Sequence, residues 1–229
     1  MATKQAEVPV ATMAEAVTDP HPQFVFTTQK QREFDELMMQ FEVQPYYARK
    51  MRALLSGTKR VIVVDNSSSM NAGLTESPLQ TEQSGVVRRM DELRHFIQCA
   101  LPILSIDSPE GVDVWLLNDL DGNPGPTVVH GVHTFDDIAQ YLARGKGYTP
   151  LIGTLRQVLS AYERFLTEEG VHIIVTTDGA PSDGGEAQLR ALLGEQLRQL
   201  LVRHAVLLLA QLEGQLRLPR LLARLLELL

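Results

Sequence analysis

Residues Val61-Ile-Val-Val-Asp65-Asn-Ser67-Ser-Ser69-Met70 decide how this chain of 229 residues folds. Four β-branched apolar residues in a row, with no polar alternation, read as a strand buried on both faces, as in a parallel sheet covered by helices. The aspartate and alternate hydroxyls that follow begin where such a strand ends, at the carboxyl edge where open α/β sheets place their ligands. Asp65, Ser67 and Ser69 offer hard oxygen donors. These suit Mg²⁺, with Mn²⁺ and Ca²⁺ as the other oxygen-preferring candidates.

A second run of the same kind, Val171 to Thr176 (VHIIVT), also ends near an acid, Asp178-Gly179. Between the two runs the spacing of Val86, Val87, Met90, Leu93, Phe96 and Ile97 predicts a helix near 82–101. Val112 to Leu117 reads as a strand, Asp121-Gly-Asn-Pro-Gly as a turn and Thr127 to Val132 as the returning strand of an antiparallel hairpin. A helix is expected from Thr134, with a hydroxyl cap and acids in its first turn. The glycine-rich break Gly145-Lys-Gly-Tyr-Thr149-Pro150 precedes another helix over 151–167. This alternation predicts a Rossmann-like three-layer α/β/α fold whose mostly parallel central sheet carries one antiparallel edge strand.

The flanks differ from this core. Residues 1–24 mix Ala, Thr, Pro and charge without period, as a flexible tail would. Residues 25–57 form a helical extension: Phe34, Leu37, Met38 and Phe41 share a face of one helix, and a second covers Tyr46 to Leu55 before Ser56-Gly57. Its role is packing on the domain behind it or binding a partner. The main domain, 58–229, ends in atypical leucine-rich helices, since eighteen of residues 189–229 are leucine. A helix over 185–201, a strand at 204–210 and a final helix fit this stretch, although the same leucines also suit a continuous helical pair. The apolar face of Leu221, Leu222, Leu225 and Leu226 needs cover, within the chain or from another copy.

A net charge of −7 and a pI near 5.4 argue against nucleic-acid binding. Cys99, alone, reads as a buried structural thiol. The start MATKQAEVPVATMAEAV lacks the basic, then apolar, pattern of a secretory signal. Arg203, Glu213, Arg217 and Pro219 interrupt the leucines, so no membrane span is expected and the setting is cytoplasmic.

Three oxygen clusters, Asp65/Ser67/Ser69, Thr149 and Asp178, fall at strand ends or helix starts, and in a parallel sheet such loops share one edge. Singly, each has a plainer use: Ser67–Ser69 as a polar cap, Thr149 as a cap before Pro150, Asp178-Gly179 as a turn. Together, hydroxyls and two carboxylates fill most of an oxygen shell of about six and leave room for one anionic ligand. D-x-S-x-S after an apolar strand, a glycine-rich loop ending in Thr-Pro, and T-T-D-G after a second strand resemble the von Willebrand factor type A domain over about residues 58–210. The segment TTDGAPSD is closest in character to the intracellular and prokaryotic branch. The resemblance implies a metal-ion-dependent adhesion site at Asp65, Ser67, Ser69, Thr149 and Asp178, with the serines, and in some states the threonine, on the ion and the aspartates acting through water.

It further implies a non-enzymatic, Mg²⁺-dependent protein-binding module that captures a partner's Asp or Glu carboxylate. Asn71, Glu76, Tyr148 and Asp183 lie in the loops that would select that partner. Relatives of this kind serve in larger assemblies, some beside AAA-type ATPases. This chain departs from the family in its bare Leu/Arg end, where a further strand and helix are usual.

Two other classes compete. A phosphate-ester hydrolase of haloacid-dehalogenase type needs a second acid two residues after the first, and Ser67 stands there. No G-x-S-x-G elbow and no phosphate-binding G-x-x-x-x-G-K-[ST] loop occurs. His130 and His133 lack a zinc-site context and read as surface or packing residues, and His172 as a satisfied structural histidine. The other class is a structural assembly subunit whose metal site is vestigial. Thermal melts with and without Mg²⁺ separate these readings. Asp65→Ala is expected to abolish stabilisation by the ion and leave a folded domain, and an unchanged metal response would sink the assignment.

Overall fold

A computed structural model describes residues 28–81, 85–166, 170–200 and 205–211. The expected N-terminal tail and the final leucine-rich helix lie outside these residues. Two helices come first, α1 (Thr28–Gln40) and α2 (Pro45–Leu55). Then follow β1 (Lys59–Val64), α3 (Arg89–Ser105), β2 (Val112–Asn118) and β3 (Pro124–Val132). The chain continues through α4 (Leu151–Ala161), β4 (Val171–Thr177), α5 (Glu186–Leu200) and β5 (Ala205–Gln211).

The strands form one open sheet in the order β3-β2-β1-β4-β5. β1 runs parallel to β2 and β4, and β4 parallel to β5, whereas β2 and β3 form the expected antiparallel edge pair. The segment that was open between strand and helical pair is thus a strand, in register with β4 from Val171↔Ala205 to Thr177↔Gln211.

Alternate residues of β1 explain the layering. Ile62 and Val64 join one core with α1, α2 and α3, while Val61 and Val63 join another with α4. The path across the sheet dictates this division. A right-handed crossover that moves one way lays its helix on one face, and one that moves the other way uses the opposite face. The parallel step from β1 to β2 carries α3, and the parallel step from β4 to β5, in the reverse direction, carries α5, whose Leu189 and Leu192 pack on the second core beside α4.

The helical extension belongs to the first core. Phe34, Met38, Ala48 and Leu55 are buried with Leu93, Phe96 and Ile97 of α3. Arg60, itself buried, donates to the Leu55 carbonyl at the end of α2 and to the Leu104 carbonyl at the end of α3, and pairs with Asp107 at 2.5 Å. A cation on the carbonyl ends of two helices is favoured by their dipoles.

Two helix expectations are corrected, and a third helix carries a break. α3 begins at Arg89 rather than 82, because the segment before it pairs with residues 73–74: Gly73 bridges Arg88 and the Leu74 N–H donates to the Val87 carbonyl at 2.8 Å. Val86, expected on the helix's apolar face, is 72% exposed. α3 also runs through Pro102, which is exposed, as is Gln98, the residue whose carbonyl loses its N–H partner. After Thr134, two short 3₁₀ turns (Phe135–Asp137 and Ala139–Leu142) replace the helix; Ile138 between them leaves helical geometry while its side chain is fully buried. The helix expected over 151–167 is present as α4, interrupted at Tyr162 and helical again over 163–166; Tyr162 turns inward, donating to Asp113 Oδ2 at 2.6 Å and accepting from Trp115 Nε1 at 3.2 Å.

Among the described residues no helix is long and apolar enough to cross a membrane. Cys99 is buried, and His172 lies 3.4 Å from the Thr58 hydroxyl. Because Phe34 is fully buried in the shared core, Phe34→Ala is expected to destabilise the whole domain by about 3–5 kcal/mol in a single urea transition. A loss confined to local fraying of the first helix would show that the extension folds apart from the sheet.

Candidate functional site

Reversal of the path across the sheet sets the place of the site. From β1 the chain moves outward to β2 and β3, then returns past β1 to β4 and β5. The loops leaving β1 and β4 therefore diverge to opposite faces, opening a crevice at the carboxyl edge between them. Asp65 is the first residue beyond β1 and Asp178 the first beyond β4.

The backbone ties these ends together before any side chain acts. The Asp65 N–H donates to the Thr176 carbonyl at 3.0 Å, and the Thr177 hydroxyl donates to Asp65 Oδ2 at 2.8 Å. The Ser67 N–H returns to Asp65 Oδ1 at 2.9 Å, a tight turn that aims both serines the same way. Ser67 Oγ lies 2.9 Å from Ser69 Oγ, and Ser69 Oγ donates to Asp178 Oδ1 at 2.9 Å. Four of the five expected ligands are thus linked in one hydrogen-bonded run, Asp65 through the Ser67 N–H and the rest through their oxygens.

Thr149 reaches the same edge by another route. The glycine-rich loop lies along the serine loop, with the Lys146 N–H on the Asn66 carbonyl at 2.8 Å and the Ser68 N–H on the Gly147 carbonyl at 3.1 Å. Thr149 donates its N–H to Ser182 Oγ at 3.0 Å and accepts from the Ser182 N–H at 2.8 Å, so it is fastened to the loop that follows Asp178. Both glycines are required. A Cβ at Gly145 would strike the Ser67 carbonyl oxygen, and Gly147 has φ 77° with the Asn118 side chain against it.

The four partner-loop residues divide. Tyr148 is 71% exposed and Glu76 is exposed, as a contact surface requires. Asn71 instead braces the two loops, its amide donating to the Gly145 carbonyl at 2.7 Å and accepting from the Gly145 N–H at 3.1 Å. Asp183 caps α4, accepting from the Ile152 and Gly153 N–H groups at 3.1 and 2.6 Å. These are ordinary fold-building bonds.

Electrostatics separate this edge from the opposite one. At the amino edge Asp113 is also buried, and burial pushes its carboxyl up. The hydrogen bonds from Tyr162 and Lys59, with the Lys59 charge at 3.0 Å, outweigh burial and hold it below the usual range. Asp65 goes the other way. Burial, the largest influence, raises it above the bonds from Ser67 and Thr177, and the nearby charge of Asp178 adds to the rise. Among the described residues no cation pairs with Asp65. A buried acid in this state, beside a second acid, is a candidate for a functional role.

The donor set fits a hard cation: two carboxylates and two hydroxyls within one hydrogen-bonded chain, with no nitrogen or sulfur among them. Among the described residues no three His, Cys, Asp or Glu side chains gather into a metal-holding group, so an ion here depends on the hydroxyls. One residue of the site had not been foreseen. Arg89 Nη1 lies 2.8 Å from Asp178 Oδ2. The available signal was the pair Arg88-Arg89 opening a helix, where the dipole disfavours cations; the misplaced start of α3 concealed it.

Gly145→Ala is expected to cost about 1–3 kcal/mol and to release the loop. Urea unfolding reads the first effect, and faster hydrogen exchange of the Lys146 amide reads the second. Unchanged exchange would mean that the two loops are not held through this contact.

No family model matches this chain, and no curated protein matches it in sequence.

Proposed function

We propose that this chain is a divalent-cation-dependent protein-binding module of von Willebrand A type, with a Rossmann-like fold and a metal-ion-dependent adhesion site. The observation that carries the reading is the run Asp65–Ser67–Ser69–Asp178, linked by hydrogen bonds at the point where the sheet reverses direction. An antiparallel edge strand, parallel remainder and fastened Thr149 loop support it further.

In this reading Asp65 and Asp178 supply negative charge and hold the water shell of Mg²⁺, while Ser67 and Ser69 turn hydroxyl oxygens to it. Thr149 answers to ligand engagement. A bound Mg²⁺ supplies an electrophilic position for one further anionic oxygen, because two carboxylates balance its charge and the hydroxyls add none. The ligand of choice is an Asp or Glu side chain of a partner protein. Tyr148, beside Thr149, lies open for contact with the apolar surroundings of that acid. A protein that docks in this way acts as a subunit of a larger assembly, of which an AAA-type ATPase complex is one kind.

One observation favours a second reading, that of a structural subunit with a vestigial metal site: Arg89 already supplies a positive charge to Asp178. The two readings part in a pull-down with the immobilised full chain, run in Mg²⁺ and in EDTA. Under the first, partners are retained about tenfold better in Mg²⁺ and lost with Ser69→Ala. Equal retention in both buffers would leave the metal-free reading.

A further inference from the structure

Two cations cannot share one carboxylate without repelling each other, and Arg89 already occupies part of Asp178. The side chain of Asp178 is 2% exposed, so its charge needs a counter-ion within the protein. Ser69 Oγ takes Oδ1 and Arg89 Nη1 takes Oδ2 at 2.8 Å. Asp65, the other acid of the pair, accepts from Ser67 and from the Thr177 hydroxyl, and among the described residues it has no cationic partner.

The arginine is held in a manner that allows it to leave. Its side chain is 34% exposed, and its Nε, although buried, has no hydrogen-bond partner among the described residues. The guanidinium therefore grips Asp178 through one nitrogen rather than through the two-pronged contact that arginine makes when an ion pair is built to last. Arg89 also opens α3, where the helix dipole repels a cation, so the Asp178 charge opposes an unfavourable position. The backbone beneath is fixed, the Arg89 N–H donating to the Ala72 carbonyl at 3.1 Å. Exchange thus requires rotation of a side chain and no movement of the helix.

We propose that Arg89 is a resident counter-ion that competes with the divalent cation for Asp178, so that metal entry and release of the arginine toward solvent are one exchange. The inference rests on the metal-site reading above. It assigns a regulation to that site: a weak, reversible metal affinity set by Arg89. It also accounts for how two neighbouring acids are tolerated at this edge.

The test is a calorimetric titration of the full chain with Mg²⁺ alone, comparing wild type, Arg89→Gln and Arg89→Lys. Removing one positive charge beside a divalent ion is expected to tighten Mg²⁺ binding about tenfold in Arg89→Gln, whereas Arg89→Lys stays near wild type. Without Mg²⁺, Arg89→Gln melts below wild type, and saturating Mg²⁺ restores it. Wild-type binding that Arg89→Gln matches or weakens would overturn the exchange. Absence of heat from both proteins, with unmoved melting curves, would overturn the metal-site reading itself. Should Arg89→Gln fail to fold, wild type decides the matter by NMR. The Arg89 Nε–H signal shifts and exchanges faster with solvent as Mg²⁺ saturates the site, and an unmoved signal in protein that binds Mg²⁺ refutes the proposal.

Discussion

β1 has no face toward water. Val61 and Val63 look into one core, Ile62 and Val64 into the other, so both surfaces of the central strand are spent on packing. Such a strand is a pure hydrophobic element, and its polar chemistry is confined to the residue after it. That residue is Asp65, fully buried. The neighbouring loops exist in their present form to meet it: Thr177 from β4 supplies a hydroxyl, Ser67 supplies a backbone N–H, and the glycine-rich loop closes against the serines from the other side.

The two ends of the sheet then solve the same problem in different ways. At the amino end Lys59 pairs with buried Asp113, Tyr162 completes the network, and the group is satisfied. Closure of this kind adds rigidity and leaves nothing to bind. At the carboxyl end two acids face each other with a single arginine, and that arginine engages only the second of them. Charge imbalance in a crevice is unfavourable for folding alone and useful for ligand capture, which is the ordinary signature of a functional edge.

Local patterns carried a good part of this structure. The β-branched runs at 61–64 and 171–176 pointed to buried strands because they are short, lack polar alternation and end in turn residues. The hairpin was legible from its turn residues. Four oxygen donors were legible as a set because each follows a strand, and parallel strands bring their ends to one edge. The helix at 134 was misjudged because its capping residues are real but its core contacts come from Ile138 and Leu142 in successive short turns. Capping starts a helix, and packing decides whether it continues.

What the amino-acid sequence alone determined was the class of fold and which oxygen-bearing residues gather at one edge of the sheet, both consequences of short-range periodicity and strand ends. Only the tertiary structure decided which polar residues build and which remain available. Asn71 and Asp183 stand in loops beside that of Tyr148, yet the first two are consumed by backbone groups of distant segments. Arg89 and Asp178 are 89 residues apart, and no local pattern relates them. Their pairing comes from α3 starting beside the loop that follows β4, a matter of how layers pack, and on that distance of 2.8 Å the charge of the site depends.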